Sequence, residues 1–497
     1  MNPTFLEFLG LNERSSCGYC KNERGERTPN TSVKENAGGG DSGYAAELNL
    51  PEVTEPSVNT ALIIESICHN NFMGFAEAGS LWAHSMRPND YNELLNMGWR
   101  RSGRYLYKPD NRLTCCPQYT IRLDVTKFKM SRSQKRVMRQ VNEFLETGNR
   151  PACKVKEEDA PGETTTTAPR RRYEKPKKEE LPKKVKDADR PVLTKKEIRN
   201  KRFEEKCHRK NLNPDVVRAE RRQKEDARQR TIQSYIDEAR PGWKHKLEVK
   251  LVHLGSEEFD SKDNESFELY KKYQSTIHKV ENSRLAGFRR FLCDSPLSLE
   301  SREGIDLGSY HMWFLLDGKL IAVCVVDLLT KCLSAKYMYY DPDYSFLSLG
   351  TYTALREIGE TQRLHNISPS FTYYYMGYYI HSCPKMRYKA KFRPSDLLCD
   401  ETFKWIEFAD CRELLDASTS ENGFSQFCFT AERPEDPPIN DFLVVSNRVI
   451  RTFSQALSQF PQALENERFL SDVRQLAHLV GPDVKNAVYY FKELDYV

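Results

Sequence analysis

One stretch leaves this chain little freedom in its fold. Tyr310-His311-Met312-Trp313-Phe314-Leu315-Leu316 reads as a strand, Asp317-Gly318-Lys319 as a turn, and Leu320–Leu329 as the returning strand. Asp-Gly between two apolar runs is hairpin chemistry, because both turn residues tolerate positive φ. Other elements gather around it. Leu247–Val252 predicts a strand, and Glu265–His278 an amphipathic helix carrying Phe267, Leu269, Tyr270, Tyr273 and Ile277. Leu333–Tyr340 predicts a further strand, Ser348-Leu349-Gly350 opens a helix over about Thr351–Gln362, and Phe371–His381 is aromatic and strand-like. Strands interleaved with helices predict a mixed α+β class.

The rest of the chain is less uniform. Its 497 residues allow two or three domains, but only 39% are hydrophobic, which points to long solvated segments. Residues 1–148 are expected to form an N-terminal domain, interrupted by a flexible insert at 24–79 that contains Gly38-Gly39-Gly40. Within it Tyr105-Leu106-Tyr107 and Tyr119–Leu123 alternate like strands, and Lys127–Gly148 has helical spacing with Ser131 as its cap. Residues 149–245 read as a charged, partly helical linker, 246–400 as a second domain, and 401–497 as a helical extension, with helical periodicity over Ile439–Phe453 and Ala463–Leu479. No run of eighteen apolar residues is present, so no membrane span is expected, and the first residues lack the pattern of a signal peptide. Fourteen cysteines in such a chain are expected to stay reduced, in cytoplasm or nucleus; Cys324 reads as core.

Four motifs carry chemistry. Cys17-Gly18-Tyr19-Cys20 and Cys115-Cys116 are tight thiol pairs, suited to one zinc ion or an iron–sulfur cluster; spacing alone does not choose between them. Gly98-Trp99-Arg100-Arg101-Ser102-Gly103 brackets two arginines with glycines, so these are either solvated surface charges or a pocket for a carboxylate or phosphate. Trp82 and His84 could line the same pocket. The segment Tyr340-Asp341-Pro342-Asp343-Tyr344 through Gly350 joins a strand to a helix where coenzyme A-dependent acetyltransferases hold a pyrophosphate. Only one glycine is present, and its two carboxylates suit a cation, or else a plain Asp-Pro turn. Tyr373–Tyr379 and Ser382–Lys389 mix tyrosines with Lys385, Arg387 and Lys389, which suits nucleotide stacking and phosphate neutralisation as well as a buried aromatic strand.

Taken together, the strings WAHS, GWRRSG, YKP, CCPQYTIR, DPDYSFLSLG, YYMGYYIHSCPKMRYK and RPSDLLC closely resemble the arginyl-tRNA–protein transferase family. The match covers Cys17–Cys20 with Leu81–Val125, and about Phe259–Cys399. The long segment between Cys20 and Ser80, and Ala390 where the family usually has glycine, depart from it. The resemblance implies an enzyme that moves arginine from charged tRNA to proteins beginning with Asp, Glu or oxidised Cys, marking them for ubiquitin-dependent degradation. It implies a GNAT-like fold in the second half and a Cys-rich N-terminal domain holding an iron–sulfur cluster, or zinc, at Cys17, Cys20, Cys115 and Cys116. No ATP or coenzyme A is then needed, because the aminoacyl ester is already activated. Asp341, with Tyr340 and Tyr344, is expected to serve the arginyl group or the acceptor amine. Arg100 and Arg101 are expected to pair with the acidic acceptor side chain, and Lys385, Arg387, Lys389 and Tyr375 to contact tRNA. A monomer or weak oligomer in cytoplasm and nucleus is expected. The rival readings are a metal-ribbon binding module without catalysis and a coenzyme A-dependent acetyltransferase.

Overall fold

The structure, a computed structural model, describes residues 3–12, 78–150, 195–227, 230–420, 422–446, 449–484 and 486–494. Two sheets dominate it. The first holds β1 (Phe5–Asn12), β2 (Ala78–Ser85), β3 (Arg100–Ser102), β4 (Tyr105–Pro109) and, from the far end of the chain, β14 (Leu443–Ser446), β15 (Val449–Thr452) and β16 (Val488–Tyr490). Its order is β15-β14-β16-β1-β2-β4-β3. The second holds β5 (Tyr119–Asp124), β6 (Leu247–His253), β8 (Ile305–Leu316), β9 (Lys319–Leu328), β10 (Cys332–Tyr340), β11 (Tyr373–Tyr379), β12 (Ser395–Leu398) and β13 (Trp405–Glu407), ordered β13-β12-β5-β11-β10-β9-β8-β6. A short β7 (Glu300–Arg302) pairs with β8.

The β8–β9 hairpin forms where the sequence places it. Asp317 and Gly318 both have positive φ, +50° and +86°, which matches the twist of the flanking strands. Asp317 also ties the turn down, accepting from the Lys246 amide at 2.8 Å and meeting His245 Nδ1 at 2.6 Å. The helices behave similarly. These are α1 (Pro88–Asn96), α2 (Arg132–Thr147), α3 (Lys195–His208), α4 (Pro214–Ala227), α5 (Asp263–Tyr273), α6 (Leu349–Ile367) and α7 (Glu467–Val480), with shorter turns between. Ser131 caps α2 in a full capping box with Gln134, and Gly148 closes it at φ +72°. The buried face of α2 is Gln134, Met138, Val141, Phe144 and Leu145.

One core lies between the first sheet, α1 and α7, and includes Leu81, Leu95, Trp99, Val444, Val473 and Tyr489. A second lies between the second sheet and α5, and includes Leu269, Tyr270, Trp313, Val323 and Tyr339. Among the described residues, no helix is long and apolar enough to cross a membrane.

Three expectations change. Residues 1–151 and 235–497 form one compact unit, not separate N- and C-terminal domains, because β5 is inserted between β11 and β12 and the last strands complete the first sheet. Ile439–Phe453 is mostly a hairpin, β14–β15, not a helix: its β-branched run pairs Val444 with Arg451 and Val445 with Ile450. The insert expected at 24–79 ends earlier, since β2 begins at Ala78; the stretch before it lies outside the described residues. The remaining unit, 152–234, contains α3 and α4, held together by Arg218 Nη2 on Glu204 at 2.8 Å and by Arg218 and Arg221 over the Phe203 ring.

Candidate active site

The neighbouring strands β10 and β11 run parallel but stay paired for only three residues, Cys332 with Tyr373, Leu333 with Tyr374 and Ser334 with Tyr375. Beyond that point each carries a register shift against its other neighbour. The β10 register against β9 shifts between Ala335 and Tyr337, so Lys336 is the bulged residue. The β11 register against β5 shifts between Tyr375 and Tyr378, where Gly377 sits at φ +70°. The result is a split in the sheet, and freed backbone on its β11 side.

Basic side chains meet that backbone. Arg100 donates from Nη2 to the Gly377 carbonyl at 3.3 Å and from Nη1 to the Trp99 carbonyl at 2.6 Å. Its guanidinium lies over the Tyr378 and Tyr375 rings at 5.1 and 5.9 Å. It is buried, and its Nε has no hydrogen-bond partner. Lys389 Nζ donates to the Tyr378 carbonyl at 2.6 Å. Burial pushes the Lys389 ammonium down to about 7, and the Arg100 charge adds to that. Among the described residues neither cation has a carboxylate partner. Two adjacent desolvated cations of this kind form a site ready for an anion.

Arg101 has a different environment. Its Nε and Nη2 grip Asp327 at 2.9 and 2.6 Å, Nη2 also reaches Ser309 Oγ at 2.9 Å, and Nη1 donates to the Gly103 carbonyl. Both side chains of the pair are almost wholly buried. The expectation that Arg101 meets an acidic substrate is therefore corrected: its donors are taken by a bidentate pair that joins β3 to β9. Asp341 is corrected likewise. It is buried, accepts from Lys272 at 2.5 Å, Lys319 at 3.0 Å and the Asp343 amide at 3.1 Å, and caps the turn at Pro342–Leu347. Burial pushes its carboxyl up, but the two lysines outweigh that and hold it below the usual range. It is a clamp for that turn, not an open carboxylate. Tyr340 packs on Tyr273 at 5.1 Å, and Tyr344 lies under Lys319.

The other expected residues divide. Tyr375 is core, donating from its hydroxyl to Asn96 at 2.6 Å, so it offers no face for base stacking. Lys385 and Arg387 are exposed on the turn at Pro384–Arg387. Trp82 pairs across the ladder with Tyr105 and Glu7; His84, on the same face, meets Glu7 Oε2 at 3.1 Å. Tyr105 stacks on Tyr107, and Tyr107 meets Tyr378, so this buried aromatic row leads to Arg100. Cys17 and Cys20 lie outside the described residues. Cys115 is exposed, while Cys116 is buried against Ile380, Cys383 and Met386. Among the described residues no three potential ligands gather around a metal position. Sequence reasoning missed Lys336, whose signal was the one charged residue in the strand Leu333–Tyr340.

Family models described as arginine-tRNA-protein transferase match residues 15–136 (N terminus) and 265–399 (C terminus). An arginyl-tRNA–protein transferase 1 of Drosophila melanogaster is 35% identical, over 73% of this chain and 83% of that protein. An arginyl-tRNA–protein transferase 2 of Arabidopsis thaliana is 31% identical, over 69% and 73%. A shorter match, 45% identical over 93 residues, 19% of this chain and 37% of that protein, is to an aspartate/glutamate leucyltransferase of Pseudomonas fluorescens. Two matched blocks and relatives aligned over most of their length place the chain in the arginyl-tRNA–protein transferase family.

Proposed function

We propose that the split between β10 and β11 is where an arginyl ester on tRNA meets the α-amine of an acceptor protein, within a sheet of GNAT type. The chain is an aminoacyl-tRNA transferase that moves arginine from tRNA to protein N-termini. The observation that carries the placement is the pair of buried Arg100 and half-buried Lys389 at the split, with no carboxylate partner among the described residues. In this reading they take the side chain of an N-terminal Asp, Glu or oxidised Cys. That fixes the neighbouring α-amine, and fixing it supplies much of the catalysis, since orientation alone removes a large entropic barrier. Lys385 and Arg387, exposed a few residues before Lys389, take tRNA phosphates.

Ester aminolysis needs no ATP, because the acyl group arrives activated. The amine must lose its proton, attack the carbonyl carbon and expel the ribose oxygen, with the oxyanion stabilised meanwhile. We also propose that Cys17, Cys20, Cys115 and Cys116 share one iron–sulfur cluster, or zinc, beside this site. The support is the exposed Cys115 and the packing of Cys116 on Cys383, six residues before Lys389. Metal and acid-labile sulfide in the purified chain, compared with Cys115→Ser, check this.

The function is tested by incubating the full chain with labelled arginine on tRNA, or with labelled acetyl-coenzyme A, and peptides beginning with Asp, Asn or Ala. Arginine transfer to the Asp peptide, in preference to the others, is expected. Acetyl transfer, or equal transfer to all three peptides, contradicts the reading.

A further inference from the structure

The β10 side of the split carries one more basic group, on the side of Arg101 and Asp327. Lys336 is the bulged residue of β10, two residues beyond the last paired position, Ser334 with Tyr375. Its residue is half-buried, but its Nζ is shielded from solvent and has no hydrogen-bond partner among the described residues. Lysine nitrogens carry three donors when protonated, so an unpartnered buried one is costly as an ammonium and favoured as a free amine. The titratable groups around it are Arg101 from β3, Asp327 from β9, and the neutral thiol of Cys293 with Asp294 at the end of the π-turn Arg289–Cys293. Asp327 is neutralised by Arg101, and Asp294 by Arg104 at 2.9 Å. Neither carboxylate is thus a dedicated partner for Lys336. Nearby His311, also buried, donates from Nε2 to the Leu292 carbonyl at 3.1 Å. Around Cys293, Asp263 is engaged by Arg289.

We propose that Lys336, acting as a free amine, is the base that takes the proton from the acceptor's α-ammonium. This rests on the transferase reading above and adds a catalytic residue to it. Burial holds the Lys336 amine down to about 7, with Arg101 assisting, which is close to the value of the α-amine it would serve. The step balances as follows. The Nζ lone pair accepts one proton from the α-ammonium. The freed nitrogen lone pair forms the new C–N bond to the ester carbonyl carbon. As the oxyanion collapses, the C–O bond to the ribose breaks, and the Lys336 ammonium returns its proton to that oxygen. The second proton of the nitrogen leaves to solvent. A base on β10 and an anion seat against the β11 carbonyls of Gly377 and Tyr378 would hold the two ends of the same acceptor residue.

The test is the pH dependence of arginine transfer to an Asp peptide by the full chain, for wild type, Lys336→Met and Lys336→Arg. Lys336→Met should lower kcat/KM about 100-fold, leave KM for arginyl-tRNA unchanged and abolish the acid limb near pH 7. Added methylamine should restore part of the rate. Lys336→Arg keeps the charge but cannot shed its proton, and should be as slow as Lys336→Met. The inference is overturned if Lys336→Met keeps the wild-type rate and limb, or if Lys336→Arg restores activity. The second outcome decides even where Lys336→Met fails to fold. A wild-type chain that transfers no arginine brings down the transferase reading itself, and this inference with it.

Discussion

At the scale of single residues, Arg100 and Arg101 show what a sequence motif conceals. As a glycine-bracketed pair they read as one anion pocket. In the structure they lie on β3, where successive side chains point to opposite faces, Arg100 across from Tyr107 and Arg101 across from Leu106. One therefore joins the split and the other is locked to Asp327. The composition of the site was legible; its division of labour was not, because that depends on strand register. Glu357 is a residue no motif announced. It is buried on α6 and accepts from the Tyr374 hydroxyl. Burial pushes its carboxyl from near 4.5 up to about 7. The folded state then holds a proton that the unfolded chain releases. Its stability is full below the unfolded value, declines as pH rises towards 7, and is flat above. The loss is on the order of 3 kcal/mol at 1.36 kcal/mol per unit. Glu357→Gln should remove this decline. Urea midpoints at pH 5 and pH 8 check it: the wild-type midpoint should fall more than that of the variant, and parallel falls would contradict the assignment.

At the scale of elements, the sequence specified local structure well wherever local chemistry decides it. The Asp-Gly hairpin, the capping box of α2 and the strand β6 form where the pattern places them. The failures are elements whose partners lie far along the chain. β16 is three residues long and carries no strong pattern, yet it pairs with both β1 and β14 and sits between them. The turn between β3 and β4 makes a related point. A Cβ on Gly103 would lie 2.2 Å from the Arg290 carbonyl oxygen, and Gly103 has φ +61°. The close approach holds the tip of β3–β4 against the π-turn that flanks Lys336. Gly103→Ala should therefore cost at least about 1 kcal/mol, from backbone strain alone before the clash is counted. It should also lower transfer more than a surface substitution of equal stability cost. Denaturant titration beside kcat/KM separates the two effects, and a stable, fully active variant would show that the contact is dispensable.

At the scale of the whole molecule, the two blocks of family sequence are not two modules. β5 comes from the first block and is the strand between β11 and β12 of the second. A fragment of residues 246–400 alone should therefore fail to fold, its sheet lacking a middle strand. Residues 1–151 and 235–497 expressed together should recover transfer, which a circular dichroism melt and the arginine assay can follow. A cooperative melt for 246–400 would refute this. The same interleaving brings together the two cations of the proposed anion seat, since Arg100 comes from the first block and Lys389 from the second. The central claim is that these two cations read the acceptor's charge. The most direct measurement is kcat/KM for peptides beginning with Asp or Asn, in wild type and in Arg100→Met with Lys389→Met. Each charged contact contributes about 1.5–3 kcal/mol, so the double variant should lose at least about 100-fold on the Asp peptide, and its rates on Asp and Asn peptides should converge. A double variant that folds and still prefers Asp over Asn as strongly as wild type would contradict the account.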